Sequence, residues 1–217
     1  MKQILFALLL VPSAALAQSN IIKTPYLLEE NTLCIATMKA GLPLRERFNY
    51  NCESQRLEFL DEDGVNRELI NPEDVDTLYL GSHKMVPYQQ RFLDVYYKAP
   101  AFELLIDYKL SAANKGKVNN GFGIKSQANG IENVDLQTLQ HVRQENRYKN
   151  LEAWEYVPRH TYYIHANGKT RHFNNKKSLL KLYPDRKEEI ETLTDKMNVS
   201  FSNPDEVVNL LKALFEK

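Results

Sequence analysis

Residues 152 to 173 read EAWEYVPRHTYYIHANGKTRHF, and this stretch decides the fold class. From Trp154 to Ala166 every second residue (Trp154, Tyr156, Pro158, His160, Tyr162, Ile164, Ala166) falls in one row, mostly aromatic or aliphatic. That is the period-two pattern of an extended strand with one buried face. Asn167-Gly168 follows; both residues tolerate the positive φ that a two-residue type I′ turn demands, so the chain is predicted to return as a hairpin. With that loop, Ala166 faces Lys169, His165 faces Thr170, Ile164 faces Arg171, Tyr163 faces His172 and Tyr162 faces Phe173. Opposed residues share a face, so Tyr162, Ile164 and Phe173 join Trp154 and Tyr156 on the core side. The other face carries Tyr163, His165 and His172. Neutral imidazole is a common metal ligand, but a structural zinc site takes four ligands and no nearby Cys or carboxylate completes the set. No metal is expected, and a solvated polar face accounts for the pattern.

Working outward toward the N-terminus, Leu33 to Lys39, Leu44 to Tyr50, Arg56 to Leu60, Thr77 to Leu80, Lys84 to Tyr88, Phe92 to Tyr97 and Phe102 to Leu110 read as further strands. The last alternates cleanly, with Phe102, Leu104, Ile106, Tyr108 and Leu110 on one side. Asn71-Pro72-Glu73-Asp74 has the form of a short helical start. Ser111 to Gly130 differs from its surroundings, with Gly116, Gly121, Gly123 and Gly130, four asparagines, and three lysines without an acid. Such composition favours a flexible surface loop, and loops of this length are often functional; Lys115, Lys117 and Phe122 are its candidate contact residues.

Beyond the hairpin the apolar period changes from two to about 3.6. Asn174 or Asn175 caps a helix that runs to Leu182 and stops before Pro184; Asp185 is expected to cap a second, with Ile190, Leu193 and Met197 on one stripe. Asn203-Pro204-Asp205-Glu206 opens a third, in which Val207, Leu210, Leu211, Leu214 and Phe215 form an apolar stripe. The expected fold is therefore α+β: an antiparallel β-rich body over residues 18 to 173, as a sandwich or open barrel, followed by a small helical segment over 174 to 217.

MKQILFALLLVPSAALA, residues 1 to 17, has the layout of a cleaved secretory leader, with one basic residue, an apolar run and small residues at Ala15 and Ala17. Gln18 follows and is not a cysteine, so a lipoprotein is not expected; the protein is read as exported, periplasmic or secreted. No other apolar run approaches spanning length. Lys+Arg and Asp+Glu both number 28, and losing Lys2 leaves 27 − 28 = −1, a balance that argues against nucleic acid as partner. Cys34 and Cys52 form a candidate disulfide in an oxidising compartment, because a turn centred on Pro43 would set them opposite each other; two buried thiols are the alternative.

No G-x-S-x-G, H-E-x-x-H, P-loop or paired CxxC is present, and no cofactor is expected. The runs RFNYNCESQRLEFLDEDG, VYYKAPAFELLIDYKL, YYIHANGKTRHFNNKKSLLKLYPDRKEEIETL and NPDEVVNLLKALF resemble a family of secreted proteins common in Bacteroides-type bacteria, one without an assigned activity. The resemblance implies a Gram-negative periplasmic or surface address and the order strands, then helices. The expected function is a non-enzymatic binding or interaction protein whose partner is a protein, glycan or small ligand. Two alternatives stand beside it: a carrier of a small apolar ligand in a β-barrel cavity, or a hydrolase in which one histidine meets a Ser, Asp or Glu at hydrogen-bond distance.

Overall fold

The computed structural model describes residues 22, 24–60, 63, 65–69, 71–114 and 154–216. Strands come first and helices last, as the change of period predicts. The strands are β1 Thr32–Met38, β2 Leu44–Asn51, β3 Arg56–Leu60, β4 Asn66–Glu68, β5 Val75–Leu80, β6 His83–Tyr88, β7 Arg91–Lys98, β8 Glu103–Asp107, β9 Leu110–Asn114, β10 Trp154–Pro158, β11 Thr161–Ala166 and β12 Lys169–Phe173. Ten of them form one sheet in the order β12-β11-β8-β7-β6-β5-β1-β2-β3-β4, and β9 pairs with β10 in a separate ribbon. Every pairing is antiparallel.

The fold is α+β as expected, and of the two forms expected for the body it takes the open one: a single antiparallel sheet that does not close, ending at β12 and β4. It rolls far enough that the β2–β3 turn meets the ends of β7 and β8. Gln55 Nε2 donates to Asp107 Oδ1 at 2.5 Å, and Arg56 reaches the carbonyl of Gln90 at 3.3 Å. Where a barrel would close, the Leu110 amide donates to the Cys52 carbonyl at 2.9 Å. The inside of the roll is filled by Cys34, Ala36, Phe48, Tyr50, Leu78, Leu80, Met85 and Phe92, all at most 2% exposed.

The Asn167-Gly168 turn forms as expected, with φ of 52° and 69°, and all five predicted cross-strand pairs are present, from Ala166↔Lys169 to Tyr162↔Phe173. The long alternating row ahead of it, by contrast, is two strands and not one. In β8–β11 Thr161 faces Asp107, and in the ribbon Pro158 faces Leu110, so both ladders keep the same register and belong to one long hairpin, broken at Tyr108-Lys109 and Arg159-His160. At the break Arg159 N still donates to Lys109 O at 2.8 Å. Lys109 N donates instead to the His160 ring nitrogen Nδ1, at 3.2 Å. An imidazole thus stands in for a backbone carbonyl while the chain bends. Residues 111 to 114, expected to be loop, are paired in β9; Lys115, Lys117 and Phe122 lie outside the described residues.

The candidate disulfide is not formed: Cys34 and Cys52 are both free and buried. The reason is register. β1 and β2 pair Cys34 with Glu46, so the turn is centred near residue 40 and not on Pro43. Cys52 lies six residues further on, roughly 20 Å of strand. Burial pushes both thiols up to about 12, which leaves almost no thiolate at neutral pH. Titration with a thiol reagent is therefore expected to label neither cysteine in the native protein and both in denaturant; prompt native labelling of either would contradict this packing.

The helices are α1 Lys176–Leu182, α2 Lys187–Met197 and α3 Pro204–Phe215. Asn175 caps α1 by accepting from Ser178 N at 2.8 Å, and the Ser178 hydroxyl returns the contact by accepting from Asn175 N at 3.1 Å, a reciprocal capping box. Asp185 does not cap α2 as expected. Pro184 opens a single 3-10 turn, Pro184–Arg186, and α2 starts directly after it without a side-chain cap. Ile190 and Thr194 take the buried stripe of α2, and Met197 is 38% exposed; the Thr194 hydroxyl survives burial by donating to Ile190 O at 2.6 Å. In α3 the Asn203 side chain accepts from Asp205 N at 3.1 Å, and Val207, Leu210, Leu211 and Leu214 are buried.

Helices and sheet are joined by aromatic rings. Phe173 stacks on Tyr162 at 5.3 Å and meets Phe201 edge-on at 6.2 Å, while Tyr162 OH donates to Phe201 O at 2.8 Å. Arg171 donates to Leu182 O at 3.0 Å and Arg186 to Leu214 O at 2.5 Å. Both guanidiniums sit at the carbonyl-rich C-terminal end of a helix, where a cation is favoured.

Candidate functional site

Alternation gives the sheet two unlike faces. Following the register across the strands, Tyr162, Ile106, Asp94, Met85 and Leu78 share one face, and Tyr163, Leu105, Val95, Tyr88 and Arg91 lie on the other. The first face is the inside of the roll and receives the helices.

On the outer face Tyr163 and His172 are cross-strand partners with ring centroids 5.6 Å apart. Tyr163 also meets Tyr88 at 5.3 Å, and the Arg91 guanidinium lies 5.4 Å over the Tyr88 ring, a favourable cation–π contact. Arg91 Nε is 2.9 Å from Asp107 Oδ2, and the other Asp107 oxygen takes the Gln55 amide. Asp107 is only 5% exposed, and burial holds its carboxyl above its ordinary value although Arg91 and Gln55 pull it down. Desolvating an ion pair costs more than most pairs return. A half-buried Arg–Asp–Gln network under two surface tyrosines is therefore better suited to orienting polar groups than to adding stability.

His165, the third member of the predicted face, is set apart from these rings: its Nδ1 lies 2.9 Å from the Thr170 hydroxyl. Among the described residues no three His, Cys, Asp or Glu side chains are placed to hold a metal ion. Sequence alone does not single out Tyr88, Arg91 and Asp107, which reach Tyr163 through the successive pairing of β6, β7, β8 and β11, or Gln55, which reaches Asp107 from the β2–β3 turn.

A second polar group lies inside the roll. His83 Nδ1 is 2.7 Å from Asp94 Oδ2, and Tyr108 OH donates to the same oxygen at 3.1 Å. The Tyr108 ring is edge-on to both His83, at 6.0 Å, and His160, at 5.2 Å. Asp94 is 1% exposed, and its Oδ1 has no hydrogen-bond partner. His160 is held in its neutral form, since burial lowers it to about 4.

Set beside known protein families, characterised proteins and solved structures, the chain matches none of them.

Proposed function

We propose that this is an exported, non-enzymatic binding protein whose outer-face cluster holds a neutral saccharide. The observation that carries the reading is the pair of surface rings, Tyr88 and Tyr163, set beside Arg91 over a buried Asp107. Flat amphipathic rings pack on the apolar faces of a sugar, and the fixed guanidinium, carboxylate and amide of Arg91, Asp107 and Gln55 offer donors and acceptors to its hydroxyls. The cluster is six side chains, whereas a stable protein interface takes about 20–30 residues a side; a small ligand fits its scale better. The leader-like residues 1 to 17 and the resemblance to secreted proteins of Bacteroides-type bacteria support export to the envelope or medium.

The test is a glycan array followed by calorimetry on the best ligand. Tyr88→Ala and Tyr163→Ala are each expected to weaken binding at least tenfold, about 1.4 kcal/mol. A wild-type protein that retains no neutral glycan, or variants that bind as well as wild type, would overturn the reading.

The hydrolase alternative draws on one specific contact, His83 with Asp94, the arrangement that orients a general base. Among the described residues no hydroxyl or thiol hydrogen-bonds to His83, so the dyad stands without a nucleophile. Turnover in an ester or glycoside screen that disappears in His83→Ala would move the assignment to this site.

A further inference from the structure

The tip of the β11–β12 hairpin and the C-terminal helices enclose a notch of about 230 Å³, lined by Ala166, Asn167, Lys169, Arg171, Tyr183 and Phe215. Ala166 faces Lys169 and Ile164 faces Arg171, so both cations lie on the helix-facing side of the sheet, opposite to Tyr163 and His172. The Arg171 guanidinium is fixed twice: it donates to Leu182 O at 3.0 Å and lies 5.3 Å over the Tyr183 ring. One wall of the notch is aromatic, with the Tyr183 and Phe215 rings 5.4 Å apart at 64°. Among the described residues neither Lys169 nor Arg171 forms an ion pair with a carboxylate.

We infer that this notch binds a small carboxylate carrying a flat apolar ring, with Lys169 and Arg171 clasping the carboxylate and Tyr183 and Phe215 flanking the ring. Lys169 and Arg171 lie two residues apart on one face of β12 and line the same notch; an anion placed there is attracted by both charges and gains the forked donors of a guanidinium already held in place. The volume lies below the roughly 300–1,000 Å³ typical of drug-sized pockets, which restricts the occupant to about one ring and its acid group. A purely apolar ligand would leave both cations uncompensated, and a larger anion would have to extend into solvent.

The probe is benzoate, with benzamide as its uncharged isostere, followed by the backbone amide shifts of Lys169, Arg171 and Phe215 in the full chain. Benzoate is expected to saturate those shifts with a Kd of about 1 mM or tighter, and benzamide to bind at least tenfold more weakly. Lys169→Glu is expected to reduce benzoate affinity at least tenfold with the thermal midpoint unchanged, because that side chain is exposed and bonds to nothing described. Removing Arg171 would also uncap α1, so Lys169→Glu is the deciding variant. Equal binding of benzoate and benzamide, benzoate binding that survives Lys169→Glu, or no saturable shift would each overturn the inference, and none of them bears on the saccharide site across the sheet.

Discussion

Lowering the pH from 7 to 4 is expected to remove about 3 kcal/mol of folding stability through His160 alone. In the folded protein burial lowers this histidine from 6.5 to about 4. A group whose folded value is depressed binds its proton first in the unfolded chain, so its contribution is complete above about 6.5 and is lost as the pH falls toward 4. Geometry gives the same sign. His160 Nδ1 accepts the Lys109 amide, and a protonated ring has only donors to offer there. The loss should be felt at the bend where the ribbon β9–β10 leaves the sheet. Asp107 acts in the opposite sense, because burial raises its carboxyl and its contribution therefore fades as pH rises. The comparison to make is urea unfolding of wild type and His160→Gln at pH 4, 5, 6 and 7. The variant should lose less stability across the range, and parallel profiles would sink the assignment.

Phe173→Ala is expected to cost about 4 kcal/mol, the range for emptying a buried aromatic site. The ring is 1% exposed and touches both layers, Tyr162 of the sheet and Phe201 ahead of α3. For a chain of this size that corresponds to a fall of roughly 10 °C in Tm. Phe173→Leu should recover more than half of the loss by refilling the volume. A drop under about 2 kcal/mol in the alanine variant would mean that the helices hold to the sheet by other contacts.

What could be read from the sequence was local. Asn167-Gly168 fixed a register because two adjacent residues suffice to specify that turn. The stripe of α3 was legible because Val207, Leu210, Leu211 and Leu214 recur within a few turns of one helix. The errors arose where the governing contact was distant or the signal unchanged. A turn centred on Pro43 would set Cys34 opposite Cys52; the ladder turns nearer residue 40, and β1 is held in place by pairing with β5 on its other side as well. The bend at His160 left no trace in the alternation, since both halves of the hairpin keep one register and buried residues stay in phase across it. At the outer-face cluster the pair Tyr163 and His172 followed from the turn. Its neighbours Tyr88 and Arg91 come from strands some seventy residues earlier, joined through a β6–β7 turn at Gln89-Gln90 that carries none of the usual Gly, Asn or Pro signals. Asp94 was hidden by the same turn, which brings it within reach of His83.

The ribbon also bears on how this chain can change length. Asn114 and Trp154 are cross-strand partners, so the two chain ends that bracket residues 115 to 153 are adjacent points of one ladder. Loop-closure entropy grows only with the logarithm of length. Insertions or deletions between these two residues can therefore be large while the register on either side stays the same, and a guest domain grafted there would inherit a ready-made two-strand stalk.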